Sequence, residues 1–160
     1  MFDGFHKTQL DTSGTTINLV HGGNGPPILL LHGYPQTHVM WHKVAPNLSD
    51  LFTVVVPDLR GYGDSGKPPS DGDLNVYCKR TTARDQVEVM DQLGFESFHV
   101  VGHDRGARVG HRMAIDYPES VKSLTSLDVM PSQAAFDSRD ADLSFAWFHW
   151  HLMRQPYPLP

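Results

Sequence analysis

Residues 98–117 read FHVVGHDRGARVGHRMAIDY, a segment that spells a strand, a tight turn and a helix in succession. Phe98 to Val101 is a short apolar run with β-branched residues, the composition of a strand. Residues 106–117 have helical character and are closed by Pro118, which cannot continue a helix. Between them, Gly102-His103-Asp104-Arg105-Gly106 fits the G-x-nucleophile-x-G elbow. In that motif a strained strand-to-helix turn holds its central side chain out, and glycines relieve crowding around it. Here the central residue is aspartate. Alone, G-x-D-x-G matches many loops. After an apolar strand, before a helix, and downstream of another apolar strand that ends in His32-Gly33, it is a specific signal. The plainer alternative is that Asp104 only caps the following helix, as Asp often does, although capping requires neither flanking glycine.

Working outward, further apolar runs at Thr16 to Val20, Pro27 to Leu31, Phe52 to Val56 and Val121 to Leu127 read as strands. Helical candidates lie at 38–49 and 82–93. Strand and helix alternate after residue 27, which predicts an α/β fold with a mainly parallel sheet and helices on both faces. The first two strands, separated only by Asp11 to Gly14, should form an antiparallel hairpin at one edge. Residues 61–76 (GYGDSGKPPSDGDLNV) are Gly- and Pro-rich and read as a surface excursion rather than a domain boundary. Beyond Asp128 the alternation stops, and residues 144–155 (SFAWFHWHLMRQ) are rich in aromatics. The expected organisation is a core over 1–131 and the beginning of a helical lid over 132–160. No internal repeat is present.

With 160 residues, 39% hydrophobic and 19% charged, the chain can build one core and does not have a disordered composition. Its apolar stretches fall far short of the ~20 residues that cross a bilayer, and residues 1–20 lack a secretory pattern, so a cytoplasmic location is expected. The single cysteine, Cys78, agrees with a reducing compartment. Thirteen Lys plus Arg against 18 Asp plus Glu give a formal charge of −5, without a basic run, which argues against nucleic acid as a partner. The ten histidines show no ligand spacing, so no metal is expected.

In a doubly wound sheet the reactive crevice lies beyond the carboxyl ends of the strands. Those ends carry His32-Gly33-Tyr34-Pro35, Asp58-Leu59-Arg60-Gly61, Gly102 to Gly106, and Asp128. One helix and one strand separate Asp104 from Asp128, which should bring both carboxylates to the same edge on adjacent strands. An aspartate nucleophile attacks carbon, usually an sp³ centre bearing a leaving group, and forms an alkyl ester that water must cleave. The helix N-terminus, Arg105 and Arg108 all favour the required anion. Three residues apart, Arg105 and Arg108 share a face beside Asp104. They could grip a substrate carboxylate with forked geometry or form salt bridges to nearby acids; the pattern leaves both open.

The set His32-Gly33-Tyr34-Pro35, Asp58-Leu59-Arg60-Gly61-Tyr62-Gly63-Asp64-Ser65, Gly102 to Arg108 and Ser126-Leu127-Asp128 resembles the α/β-hydrolases, and within that three-layer fold the haloacetate dehalogenases. The most specific element is D-R-G-x-R, because haloalkane dehalogenases and epoxide hydrolases typically carry Trp where Arg105 stands. The resemblance implies a small-molecule 2-haloacid substrate such as fluoroacetate, and no cofactor. It makes Asp104 the nucleophile, Asp128 the acid that orients a catalytic histidine, and Arg105 and Arg108 the carboxylate grip. Backbone N–H groups of Tyr34 and Arg105 would form the oxyanion hole, and His149 and Trp150 would donate to the departing halide. Asp58 and Arg60 are expected to brace loops, and His103 to support the site without touching substrate.

The sequence departs from that family in two respects. The family's catalytic histidine follows an eighth strand, and none of the ten histidines occupies such a position; a third, tyrosine donor to halide is also missing. The expectation is an N-terminal part, ending after the sixth strand and the start of the lid, whose open edge strand favours homodimerisation or association. Two other readings remain. An epoxide hydrolase would use the same aspartate but needs lid tyrosines, and Tyr157 alone is present. A non-catalytic carboxylate-binding protein would keep the arginines without the base.

Overall fold

The computed structural model describes residues 1–130 and, in the segment beyond, residues 134, 137, 145 and 148. The chain divides into two compact units, Met1–Val129 and Met130–Pro160. The first contains strands β1 (His6–Asp11), β2 (Thr16–Gly22), β3 (Pro27–Leu31), β4 (Thr53–Pro57), β5 (Phe98–His103) and β6 (Val121–Leu127). It also contains a 3-10 turn (His38–Trp41) and helices α1 (Ala45–Leu48), α2 (Lys79–Gln92) and α3 (Arg105–Asp116).

The six strands form one sheet in the order β1-β2-β4-β3-β5-β6. The expected hairpin is present at one edge, with His6 opposite His21 and Asp11 opposite Thr16. β2 runs antiparallel to β4, whereas β3 pairs in parallel with β4 and β5, and β5 with β6. The reason β3 is an unbroken apolar run lies in the two-residue period of a strand. Leu29 and Leu31 enter a core with Val55, Val89, Val100, Val109 and Met113. Ile28 and Leu30 point the other way, to Val54, Val56, Trp41 and Ala45. Both faces are therefore covered, by α2 and α3 on one side and by the 3-10 turn and α1 on the other. β6 is the terminal strand opposite the hairpin and is largely exposed.

The helix expected over 38–49 is instead two short pieces, the 3-10 turn and α1. Pro46 explains the break: its ring would collide with the His42 carbonyl and it has no N–H to donate there. It is accommodated in the first turn of α1. α2 begins at Lys79, earlier than the expected Thr82, because its first turn is polar and carries no apolar periodicity. The Cys78 carbonyl starts the helix by accepting the Thr82 N–H at 3.0 Å. Among the described residues, no helix is long and apolar enough to cross a membrane.

Candidate active site

Asp104 stands between β5 and α3 with φ 46° and ψ −112°, a backbone conformation that costs an L-residue energy and is retained where surrounding structure enforces it. Close packing is what enforces it. A Cβ on Gly102 would lie 2.5 Å from the Ala107 backbone, and one on Gly106 would lie 2.4 Å from the Leu31 carbonyl oxygen. Side chains at either position would push α3 off the sheet. Although Asp104 occupies the N-cap position of α3, its side chain makes no capping hydrogen bond. Its Oδ2 instead accepts the Tyr34 backbone N–H at 2.9 Å. The capping alternative is thereby set aside, and the loop after β3 is joined to the elbow. Gly33 permits this approach, since a Cβ there would sit 2.7 Å from Asp104 Cβ.

Around the carboxylate the described charges are mostly positive. Arg105 lies with its guanidinium carbon 5.1 Å from the centre of the Tyr34 ring, a cation–π distance. Arg108 is close enough to feel both Asp104 and Arg105. Burial lowers its pKa, Arg105 adds to the lowering, and Asp104 opposes it. Burial raises the Tyr62 hydroxyl while Arg105 beside it pulls the other way. The two arginines expected to share a face beside Asp104 are therefore brought together there.

Asp128 follows β6 on the strand adjacent to β5, at the same sheet edge as Asp104, with φ 48° and a side chain 94% exposed. Its Oδ2 is 3.9 Å from His103 Nε2, and the other ring nitrogen of His103 lies 3.1 Å from Gln36 Oε1. His32 is fully buried. Its Nε2 accepts the Leu59 N–H at 3.0 Å, which leaves Nδ1 to donate to the Gly33 carbonyl at 2.9 Å. Burial lowers its pKa, and with both nitrogens engaged the ring holds two loops in register as a neutral imidazole. His149 and Trp150, expected to bind halide, lie outside the described residues.

Asp58 and Arg60 act as braces. Asp58 accepts four hydrogen bonds, from the backbone and ring of His38 at 2.7 and 2.8 Å, from Asn18 Nδ2 at 2.8 Å and from the Asp64 N–H at 3.0 Å. Burial alone would raise its pKa, but the His38 and Asp64 hydrogen bonds outweigh that and hold it at about 2. Arg60 is forked onto buried Asp85, with Nε and Nη2 each at 2.6 Å, and its Nη1 donates to the Val76 carbonyl. Sequence reasoning missed Lys79 and Tyr77 and gave Tyr62 no role; all three line a pocket beside Arg105 with Leu59, Arg60 and Thr82. No spacing rule could have found them, since the 61–76 excursion that carries their neighbours has no period. Among the described residues, no group of three or more His, Cys, Asp or Glu could hold a metal ion.

An aspartate on a strand-to-helix elbow, faced by a backbone N–H from the loop after β3, is the site architecture of an α/β-hydrolase. The family model for the alpha/beta hydrolase fold matches residues 26–157, and the chain belongs to that family. It is 51% identical over 160 residues to a fluoroacetate dehalogenase from Burkholderia sp., covering 100% of this chain and 53% of that protein. It is also 42% identical over 123 residues to a soluble epoxide hydrolase from Corynebacterium sp. (strain C12), covering 77% of this chain and 41% of the relative. Among solved structures, an α/β hydrolase from Nostoc sp. PCC 7120 superposes with a TM-score of 0.98 at 55% identity, covering 100% of this chain and 55% of its own. A Pseudomonas aeruginosa protein described as an epoxide hydrolase superposes at 0.94 with 47% identity, covering 100% and 53%. The chain thus spans about half the length of the curated relatives it matches.

Proposed function

We propose that this chain carries the nucleophile and carboxylate grip of a hydrolase that removes halide from short 2-haloacids, fluoroacetate being the favoured substrate. The observation that carries the reading is the Asp104 side chain, which leaves its capping position free and places one oxygen on the Tyr34 N–H. With Oδ2 held there, Oδ1 attacks the α-carbon; a C–O bond forms, the C–halide bond breaks, and halide leaves with the bonding electron pair. Arg105 and Arg108 hold the substrate carboxylate so that this displacement is in line. The N–H groups of Tyr34 and Arg105 then stabilise the oxyanion formed when water attacks the ester carbonyl. His149 and Trp150, on the proposed lid of 132–160, supply the N–H donors for halide. Asp128 orients the histidine base of the second step, which the family resemblance places after a later strand.

The first step needs only groups present here. Incubating the 160-residue chain with a haloacetate should add one carboxymethyl group to the peptide containing Asp104, read by mass spectrometry, and the Asp104→Asn variant should acquire none. Absence of the adduct on a folded chain, or its appearance on another residue, would overturn the assignment. A second reading, ester formation by ring opening of an epoxide, draws on the relatives named as epoxide hydrolases. An epoxide that labels Asp104 faster than a haloacetate would favour it. Arg105 beside the nucleophile argues for the anionic substrate.

A further inference from the structure

The pocket beside Arg105 lies between α2, α3 and the turn after β4, and its polar lining is unevenly used. Arg60 is saturated by Asp85 and the Val76 carbonyl, the Tyr77 hydroxyl donates to the Pro68 carbonyl at 2.7 Å, and the Thr82 hydroxyl donates to the Cys78 carbonyl at 3.1 Å. Lys79 lines the same pocket and is not exposed, yet it makes no hydrogen bond or ion pair with any described residue. Its charged surroundings are Arg105 and Arg108 from α3, Asp104 at the elbow, and Cys78 at the start of its own helix. A half-buried ammonium that feels the repulsion of two guanidiniums is disfavoured by them, and an entering anion offsets that repulsion.

We propose that Lys79 is the third cation of the carboxylate site, a specificity-determining residue that strengthens binding of small carboxylates at Arg105 and Arg108. The inference rests on the reading of those arginines as the carboxylate grip, and extends it to a side chain on a different helix. It accounts for a lysine that lines the pocket with Arg105 and is hydrogen-bonded to no described acid. It also predicts a signature that the arginines cannot produce, because lysine titrates in an accessible range and arginine does not. Burial first, and then Arg105 and Arg108, lower the Lys79 pKa below 10.5, with Asp104 opposing. A bound carboxylate favours the charged form, so affinity is full while Lys79 is protonated and falls as pH rises through its lowered pKa.

The test is binding of acetate, followed by line broadening of its ¹³C-methyl resonance, with acetamide as the uncharged control and a Cys78→Ser background so that the adjacent thiol does not titrate. Wild-type Lys79 should bind acetate and not acetamide, with affinity lost at alkaline pH. Lys79→Met should weaken acetate binding by about five- to tenfold at neutral pH, the scale of one unit charge about 7 Å away at an effective dielectric of roughly 40, and should lack the alkaline loss. Lys79→Arg should restore affinity to within about twofold and carry it past the pH at which the wild type fails. Equal binding by wild type and Lys79→Met, with loss in Arg108→Met, would overturn the proposal and leave the arginine grip standing. So would Lys79→Arg behaving like Lys79→Met, which would mark shape rather than charge as what matters. Failure of the folded wild type to bind acetate at any pH would overturn both.

Discussion

Replacing Asp58 by asparagine tests how the loops that shape the site are held. The carboxylate is completely buried and receives two donors on each oxygen, His38 N–H and Nδ1–H on Oδ1, Asn18 Nδ2 and Asp64 N–H on Oδ2. An asparagine offers one oxygen and one NH2, so two donors would face a donor whichever way the amide is turned. Holding the carboxyl at about 2 rather than 3.8 corresponds to roughly 2.5 kcal/mol in favour of the charged form, at about 1.4 kcal/mol per tenfold change. Leaving buried donors unmatched adds a cost of about 1–3 kcal/mol. Asp58→Asn should therefore lose about 3.5–5.5 kcal/mol in urea unfolding at pH 7. The sign with pH follows from the lowered value. The charged-form contribution is complete well above 3.8, the value in the unfolded chain, and is lost as pH falls toward about 2. The gap between wild type and variant should accordingly narrow between pH 6 and pH 2.5. A difference below about 0.5 kcal/mol at pH 7, within the range of an inert surface substitution, or one that does not change with acidification, would refute the account.

Three further substitutions probe the remaining features. Asp104→Gly should raise stability by about 1 kcal/mol by relieving the positive-φ strain, seen as a higher urea midpoint, while abolishing the haloacetate adduct; a loss of stability would mean that the Tyr34 bond outweighs the strain. Arg60→Met strands the Asp85 carboxylate in the core and should cost about 3–5 kcal/mol, much of it recovered in the double variant Arg60→Met/Asp85→Leu, as a double-mutant cycle would show. Gln86 is fully buried with neither amide atom hydrogen-bonded to a described residue, so Gln86→Met should leave urea-unfolding stability unchanged or raise it by about 1 kcal/mol; a loss above that would reveal a partner.

The sheet was legible because its information is local and periodic. Continuous apolar runs at Pro27 to Leu31 and Phe52 to Val56 announce strands, and the elbow is legible because strand, turn and helix are consecutive in the chain. The junction of Tyr34 with Asp104 follows once β3 and β5 are neighbours, since both turns then leave the same edge. What escaped notice is set by loop geometry. Asp85 and Gln86 look like the solvent face of a polar helix, yet both are fully buried. Asp85 is buried because the turn after β4 swings Arg60 onto it, and no period in α2 encodes that meeting. Lys79 is hidden for the same reason, its surroundings being assembled from three separate parts of the chain. The broken helix at 38–49 was readable in Pro46, whose steric demand outranks the apolar pattern around it.

The charge arrangement also bears on why an arginine should follow the nucleophile. On the proposed reading, a carboxylate attacks a carbon that itself bears a carboxylate, an encounter of like charges. Two such groups about 4 Å apart repel by roughly 4 kcal/mol at an effective dielectric of 20, enough to slow the approach by about a thousandfold if nothing opposed it. A tryptophan at position 105 would leave that repulsion in place and suit a neutral substrate. Arg108 and Lys79 each feel the charges of Asp104 and Arg105, so on the proposed reading the same cations that stabilise the nucleophile also attract a second anion. That attraction turns the substrate's charge from an obstacle into a source of binding energy, and leaves an uncharged analogue such as haloacetamide without the interaction that brings its α-carbon to Asp104.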